Sequence, residues 1–187
     1  MFRFNGGRSR MEFIRLKDTQ SQYWEALWHI YITSFPIYEQ RTFKDQIEAL
    51  KDERYHCIAI CENDKVAGIL LYWEIETYRY VEHLAIVSDL RGKQYGTNIL
   101  NQFCNENERV ILEIDPPIDE VSRKRLSFYQ SAGFYLQEYA HIHPPYRAGY
   151  SGHSLKVLTS MASFNEEAYE LFYNFLEQVI MKYAEKQ

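Results

Sequence analysis

The run RGKQYG, from Arg91 to Gly96, decides how this chain is read. It lies between the apolar stretch LAIV (Leu84 to Val87) and the helix-like segment TNILNQFC (Thr97 to Cys104). A basic, glycine-bearing turn between strand and helix is a candidate phosphate cradle. The first turn of a helix has four backbone N–H groups without intrahelical partners, and the macrodipole adds positive potential there. Arg91 and Lys93 add charge. Gly92 and Gly96 have no Cβ to hold a ligand oxygen away from the amides.

Working outward, the segments around this turn alternate between strand and helix character. Upstream, EFIRL (Glu12 to Leu16) alternates as a strand does. Trp24, Leu27, Trp28, Tyr31, Ile32 and Phe35 then recur at helical spacing until Pro36 breaks the run. A second helix is expected with Phe43, Ile47 and Leu50 inward. YHCIAIC and VAGILLYWEI read as strands joined by the turn Glu62-Asn63-Asp64-Lys65, and a third strand covers Tyr80 to Val87. Downstream, RVILEID (Arg109 to Asp115) suits a central strand ended by Pro116-Pro117. Ser122 to Ala132 suits a helix closed by Gly133. FYLQEYAHI and GHSLKVLTS read as two more strands. A final amphipathic helix carries Ala168, Leu171, Phe172, Phe175, Leu176, Val179 and Tyr183 on one face. The order implies a mixed α/β layer arrangement. Residues 1–10 are read as an N-terminal tail, 11–187 as one domain, and 160–187 as a C-terminal helical extension of it.

Composition narrows the function. The 187 residues carry a formal net charge of −5 and 46% hydrophobic residues, which disfavours a nucleic-acid protein, since phosphate-backbone binding needs a basic surface. The local basic cluster of Arg91, Lys93, Arg123, Lys124 and Arg125 suits a small polyanion better. The three cysteines form no CxxC pair, so neither a disulfide framework nor a zinc site is indicated and the reducing cytoplasm is the expected compartment. No apolar run reaches the roughly 20 residues of a membrane span. The turn also lacks the Lys-Ser/Thr of a P-loop, which counts against a nucleotide-binding protein.

Taken together, LAIV, RGKQYG, VILEID and FYQSAGF, with Tyr129, Gly133 and Phe134, resemble the motifs of the GNAT superfamily of acyl-CoA-dependent N-acyltransferases. The resemblance runs from about Glu12 to Thr159. It implies a mostly antiparallel central sheet with two splayed strands and flanking helices, and transfer of an acetyl group from acetyl-CoA to a primary amine. It further implies that Ile86 and Val87 offer main-chain groups to the acyl carbonyl and pantetheine arm. Arg91, Gly92, Lys93, Gln94, Tyr95, Gly96 and Thr97 would wrap the pyrophosphate, with Ser122 and Arg125 on the helix that approaches the cosubstrate. Gln94 departs from the family pattern, which has glycine there. Ser122 and Arg125 depart from its usual Asn and Ala.

The chemistry requires a neutral amine, an oxyanion donor and a proton for the leaving thiolate. By the resemblance Tyr129 is the candidate acid, since a phenol is protonated at neutral pH. Glu82 and Glu113 are the candidate bases. On a regularly alternating strand Glu82 shares a face with Tyr80 and Leu84, and His83 points the other way. His141 and His143, two apart, share a face and are read as pocket lining or packing, because a metal site would need a third ligand and none is apparent. Tyr72, Trp73, Tyr78, Tyr80, Tyr146 and Tyr150 are expected around the acceptor. Glu74 and Glu76 would favour a cationic one, a small amine or a peptide. The rival reading is a non-catalytic acyl-CoA sensor. The C-terminal stripe is to be buried either on the chain's own sheet or in a homodimer.

Overall fold

The computed structural model describes residues 11–186, so the tail read at residues 1–10 lies outside the described residues. Eight strands form the sheet among them: β1 (Met11–Leu16), β2 (Tyr55–Glu62), β3 (Lys65–Ile75), β4 (Tyr78–Ile86), β5 (Val110–Ile114), β6 (Tyr135–Leu136), β7 (His141–His143) and β8 (His153–Thr159). The order is β1-β2-β3-β4-β5-β8-β6, with β7 added on β8. The pairings are antiparallel except for β4 with β5.

Helices α1 (Trp24–Ser34), α2 (Phe43–Ala49) and α5 (Glu166–Gln178) contribute to one core cluster, and α3 (Tyr95–Glu106) contributes Ile99, Leu100 and Phe103 to a second. Helix α4 (Glu120–Ser131) adds Leu126, Phe128 and Tyr129 beside that second cluster. The strands are apolar on both faces because each face is covered. Leu71, Trp73 and Tyr80 join the first cluster, while Leu70, Val81 and Leu112 join the second.

The local signals act as their chemistry demands. Asn63 and Asp64 both take positive φ, 49° and 61°, as a two-residue hairpin turn of matching twist requires. Thr42, Asp119 and Asn165 cap α2, α4 and α5 by accepting N–H bonds from the first turns. The C-terminal stripe settles on the chain's own sheet: Phe172, Leu176 and Ile180 are buried among the first cluster, and Trp73 stacks on Tyr183.

Several expectations shift. Ile30 rather than Ile32 completes the buried face of α1, leaving Ile32 40% exposed. Phe43 lies at the surface edge of Trp24 and Trp28, and the buried positions on α2 are Ala49 and Gln46, the latter donating to the Tyr55 hydroxyl at 2.9 Å. The segment FYLQEYAHI is two short strands. β6 ends at Leu136, and its neighbour Gln137 continues to donate its N–H to the Val157 carbonyl, but pairing resumes only at His141. α3 begins at Tyr95, two residues before the expected start.

Candidate active site

The parallel strands β4 and β5 pair only over Arg79–Val81 and Val110–Leu112. Beyond that point each keeps its other neighbour: β4 stays on β3 and β5 on β8, so the two separate. A cavity of about 480 Å³ opens at the separation.

Main-chain polarity at the gap follows from strand alternation. The Val87 N–H, expected to face the cosubstrate, donates to the Ala67 carbonyl at 3.0 Å, and the Val87 carbonyl accepts from Leu90, so both main-chain groups are engaged within the fold. Alternation then turns the N–H of Ile86 away from β3 and toward the gap. Gly68, opposite Ile86, allows the close approach there: a Cβ would stand 2.6 Å from the Ala85 carbonyl oxygen. The Ile86 carbonyl accepts from Arg91 Nε at 2.9 Å, which fastens the turn to the strand end.

The turn itself is exposed from Arg91 to Gln94. Gly92 has φ 73°, where its missing Cβ matters. Gln94, at φ 63°, precedes α3 in the left-handed conformation that glycine adopts without cost. The amides of Tyr95, Gly96 and Thr97 form the first turn of α3. Tyr95 is tethered by its hydroxyl to Glu62 at 2.7 Å. Arg91 and Gly96 line the cavity.

Across the gap, Tyr129 on α4 lines the cavity beside Phe128. Burial raises its pKa, outweighing the opposing charge of Arg125, so the phenol holds its proton at neutral pH. Arg125 also lines the cavity and pairs with Asp115 at 2.5 Å. Ser122 is otherwise occupied. Its backbone and hydroxyl, expected near the cosubstrate, close a capping box with Asp119.

The strand alternation expected for β4 fails at one residue. Leu71 pairs with His83 and Tyr72 with Val81, leaving Glu82 as the extra residue of a β-bulge. The bulge puts Glu82 and His83 on the same side, with Glu82 Oε2 3.5 Å from His83 Nδ1, and sends Leu84 to the opposite core. Both Glu82 oxygens are engaged: Arg41 donates to them at 2.8 and 2.6 Å, Tyr146 at 2.5 Å and Trp73 at 3.3 Å. Burial would raise its pKa, but Arg41 and the hydrogen bonds hold it far below the usual carboxylate range.

Glu113 lies on β5 just past the last residue paired with β4 and opposite Val157 on β8. It accepts from the Tyr80 hydroxyl at 2.5 Å and contacts His141 Nε2, while His143 Nε2 stands at 3.8 Å. Burial opposes its charge, yet His143, His141 and Tyr80 together keep its pKa lowered. His141 and His143 do share a buried face, with Ile142 outward. Among the described residues no group of His, Cys, Asp and Glu could hold a metal ion.

The acceptor end differs from its expected composition. Tyr80 and Tyr146 line the cavity, but Tyr72 packs on Phe103, Trp73 is core, and Glu74 pairs with His56 and Arg79 at the far end of β4. An acidic lining residue that was not expected is Glu39, with its pKa raised by burial and His153 Nε2 3.7 Å away. Glu39 follows Pro36 in a short turn (Ile37–Glu39), and no periodic signal marks it as a site residue.

A family model described as the acetyltransferase (GNAT) family matches residues 23–134. The chain belongs to the GNAT family. A GNAT-family protein of Bacteroides thetaiotaomicron, itself a provisionally named acetyltransferase, superposes with a TM-score of 0.84 at 26% identity, covering 91% of this chain and 98% of that one. YjbC of Bacillus subtilis strain 168, also provisionally named an acetyltransferase, is 32% identical over 106 residues, 54% of this chain and 52% of its own, so the chain matches about half the length of that curated relative. The same GNAT fold occurs in a Bacillus subtilis acetyltransferase solved with CoA, with a TM-score of 0.55 at 15% identity over 80% of this chain and 97% of that one. The exposed Gly92 turn, the open first turn of α3 and the gap beside Ile86 fit such a cosubstrate, with Gln94 the one ill-suited position in the turn.

Proposed function

We propose that this GNAT protein transfers an acetyl group from acetyl-CoA to a primary amine by direct attack. The observation that carries the proposal is the single cavity joining the α3 N-terminus, the Ile86 N–H, Tyr129 and the buried Glu113 along the separation of β4 from β5.

Acetyl-CoA would supply the activated acyl group: the C–N bond to the amine forms and the C–S bond breaks. Arg91 and the amides of Gly92 to Thr97 would hold the pyrophosphate, and Arg125 lies close enough to the cavity to add charge. The Ile86 N–H would stabilise the oxyanion. Tyr129, with no hydrogen-bond partner for its hydroxyl among the described residues, would give its proton to the leaving thiolate. Of the two carboxylates, Glu113 rather than Glu82 is placed to support proton removal from the amine, because Glu82 is fixed by Arg41. The buried Glu82 is better understood as the holder of Arg41 and Tyr146 at the cavity wall.

The acceptor is proposed to be cationic before reaction, a small amine or a peptide amine, because Glu39, Asp115 and Glu113 face the cavity. The free cysteines Cys57, Cys61 and Cys104 accord with a reducing cytoplasm. The test is release of free thiol from acetyl-CoA with a panel of spermidine, glucosamine and a Lys-containing peptide. Tyr129→Phe is expected to slow release by roughly 10²-fold or more while leaving CoA binding by calorimetry nearly intact. Tight CoA binding without thiol release from any amine would favour the sensor reading instead.

A further inference from the structure

The cavity holds one nitrogen base placed better than either carboxylate. We propose that His143 takes the proton from the acceptor ammonium, with Glu113, His141 and Tyr80 as its positioning residues. The proposal rests on the acetyl-transfer reading.

The tautomer follows from the hydrogen bonds. His143 Nδ1 lies 2.5 Å from the Pro144 carbonyl oxygen, which can only accept, so Nδ1 carries the proton. Nε2 of the neutral ring then has a lone pair. It faces Glu113 Oε2 at 3.8 Å and the Tyr146 hydroxyl at 3.5 Å, and the Tyr146 proton is already directed at Glu82. The Nε2 lone pair therefore has no strong donor. The side chain is 4% exposed yet lines the cavity.

Glu113 is poorly suited to act as the base itself. One oxygen accepts from Tyr80 and the other meets His141, whose Nδ1 is in turn 3.0 Å from the Tyr169 hydroxyl on α5. This chain fixes the carboxylate where its charge favours a proton arriving on His143. The groups facing His143 are Glu113 from β5, Glu82 from β4, His141 on its own strand, His153 from β8 and Tyr146 from the following loop. Burial lowers the His143 pKa and Glu113 opposes that shift, so the ring is neutral and ready to accept at pH 7. His153 is a competing histidine, but both of its nitrogens lack hydrogen-bond partners and its side chain is 22% exposed. No hydrogen bond therefore fixes its tautomer, whereas the Pro144 carbonyl fixes that of His143.

The step balances simply. An N–H bond of the ammonium breaks, an Nε2–H bond forms, and the amine lone pair is released for attack. The imidazolium passes that proton to solvent, which accounts for the one proton released when an ammonium becomes an amide. The second amine proton replaces the one that Tyr129 gives to the thiolate.

The experiment compares wild type, His143→Gln, His153→Gln and Glu113→Gln for thiol release from acetyl-CoA with the same amine panel across pH 5.5 to about 9.5, alongside CoA binding and a histidine NMR titration of wild type. His143→Gln is expected to lower kcat/KM at pH 7 by roughly 10²- to 10⁴-fold with CoA affinity retained. Its deficit should shrink as pH rises and free amine becomes available without a base. Glu113→Gln should move the acid limb to lower pH, because the charge that favours the imidazolium is gone. A structural role alone would not move that limb. The wild-type acid limb should also coincide with the His143 titration, a reading that needs no variant to fold. An active wild type whose acid limb does not follow His143, or is lost in His153→Gln and kept in His143→Gln, overturns the proposal. A wild type that binds CoA but releases no thiol with any amine overturns the transfer reading first, and this inference with it.

Discussion

Arg41 and Glu82 form a two-point ion pair in the interior, with Nη–Oε distances of 2.8 and 2.6 Å and side chains 0% and 1% exposed. Arg41 also lies over the Tyr146 ring, 4.7 Å from its centroid, so the pair ties α2's approach segment to the wall of the cavity. Removing one partner leaves the other charge buried and unpaired. Arg41→Ala is expected to destabilise the fold by about 3–5 kcal/mol, measured by chemical denaturation. Arg41→Met combined with Glu82→Leu should recover much of that loss, and failure of the pair to do so would deny that the unpaired charge is the cause.

The same carboxylate sets an acid limit on stability. Its folded pKa lies far below the ordinary value of 4.5, so folding binds fewer protons than unfolding as the pH approaches that range. The stabilisation is fully present above about pH 4.5 and is lost as pH falls toward the folded value. Thermal melts of wild type should therefore decline below that pH. Glu82→Gln, compared over the same interval, should show a shallower decline; identical slopes would remove Glu82 from the account.

Gln94 pays a conformational cost at φ 63° that glycine would not. Gln94→Gly is expected to raise stability by up to about 1 kcal/mol and leave CoA affinity equal or tighter. Gly96 has the opposite sensitivity. A Cβ there would stand 3.6 Å from Phe128, so alanine fits, but Gly96→Trp would fill the cavity entrance and should weaken CoA binding in calorimetry. Unchanged affinity in Gly96→Trp would count against the cradle.

How far the sequence carries depends on how local each signal is. The order of strands and helices, the RGKQYG turn, the hairpin at Asn63-Asp64 and the helix holding Tyr129 are all set by neighbours along the chain: periodicity, capping and turn chemistry act within a few residues. They also suffice to show the family resemblance. The bulge at Glu82 was not legible, because it exists only in the register between β3 and β4, and it alone reverses the expected direction of His83. Arg41 and Glu82 are 41 residues apart, and Glu113 and His141 are 28 apart. No periodic pattern links such residues. Ser122 and Val87 likewise looked available in sequence and are consumed by Asp119 and Ala67 in space. Sequence by itself determined the mixed sheet, the basic glycine-bearing turn before α3 and the acyltransferase family, since each rests on contiguous patterns. Only the tertiary structure decided which polar groups remain free at the gap, because a hydrogen bond is satisfied or spared by what the fold brings within about 3 Å of it.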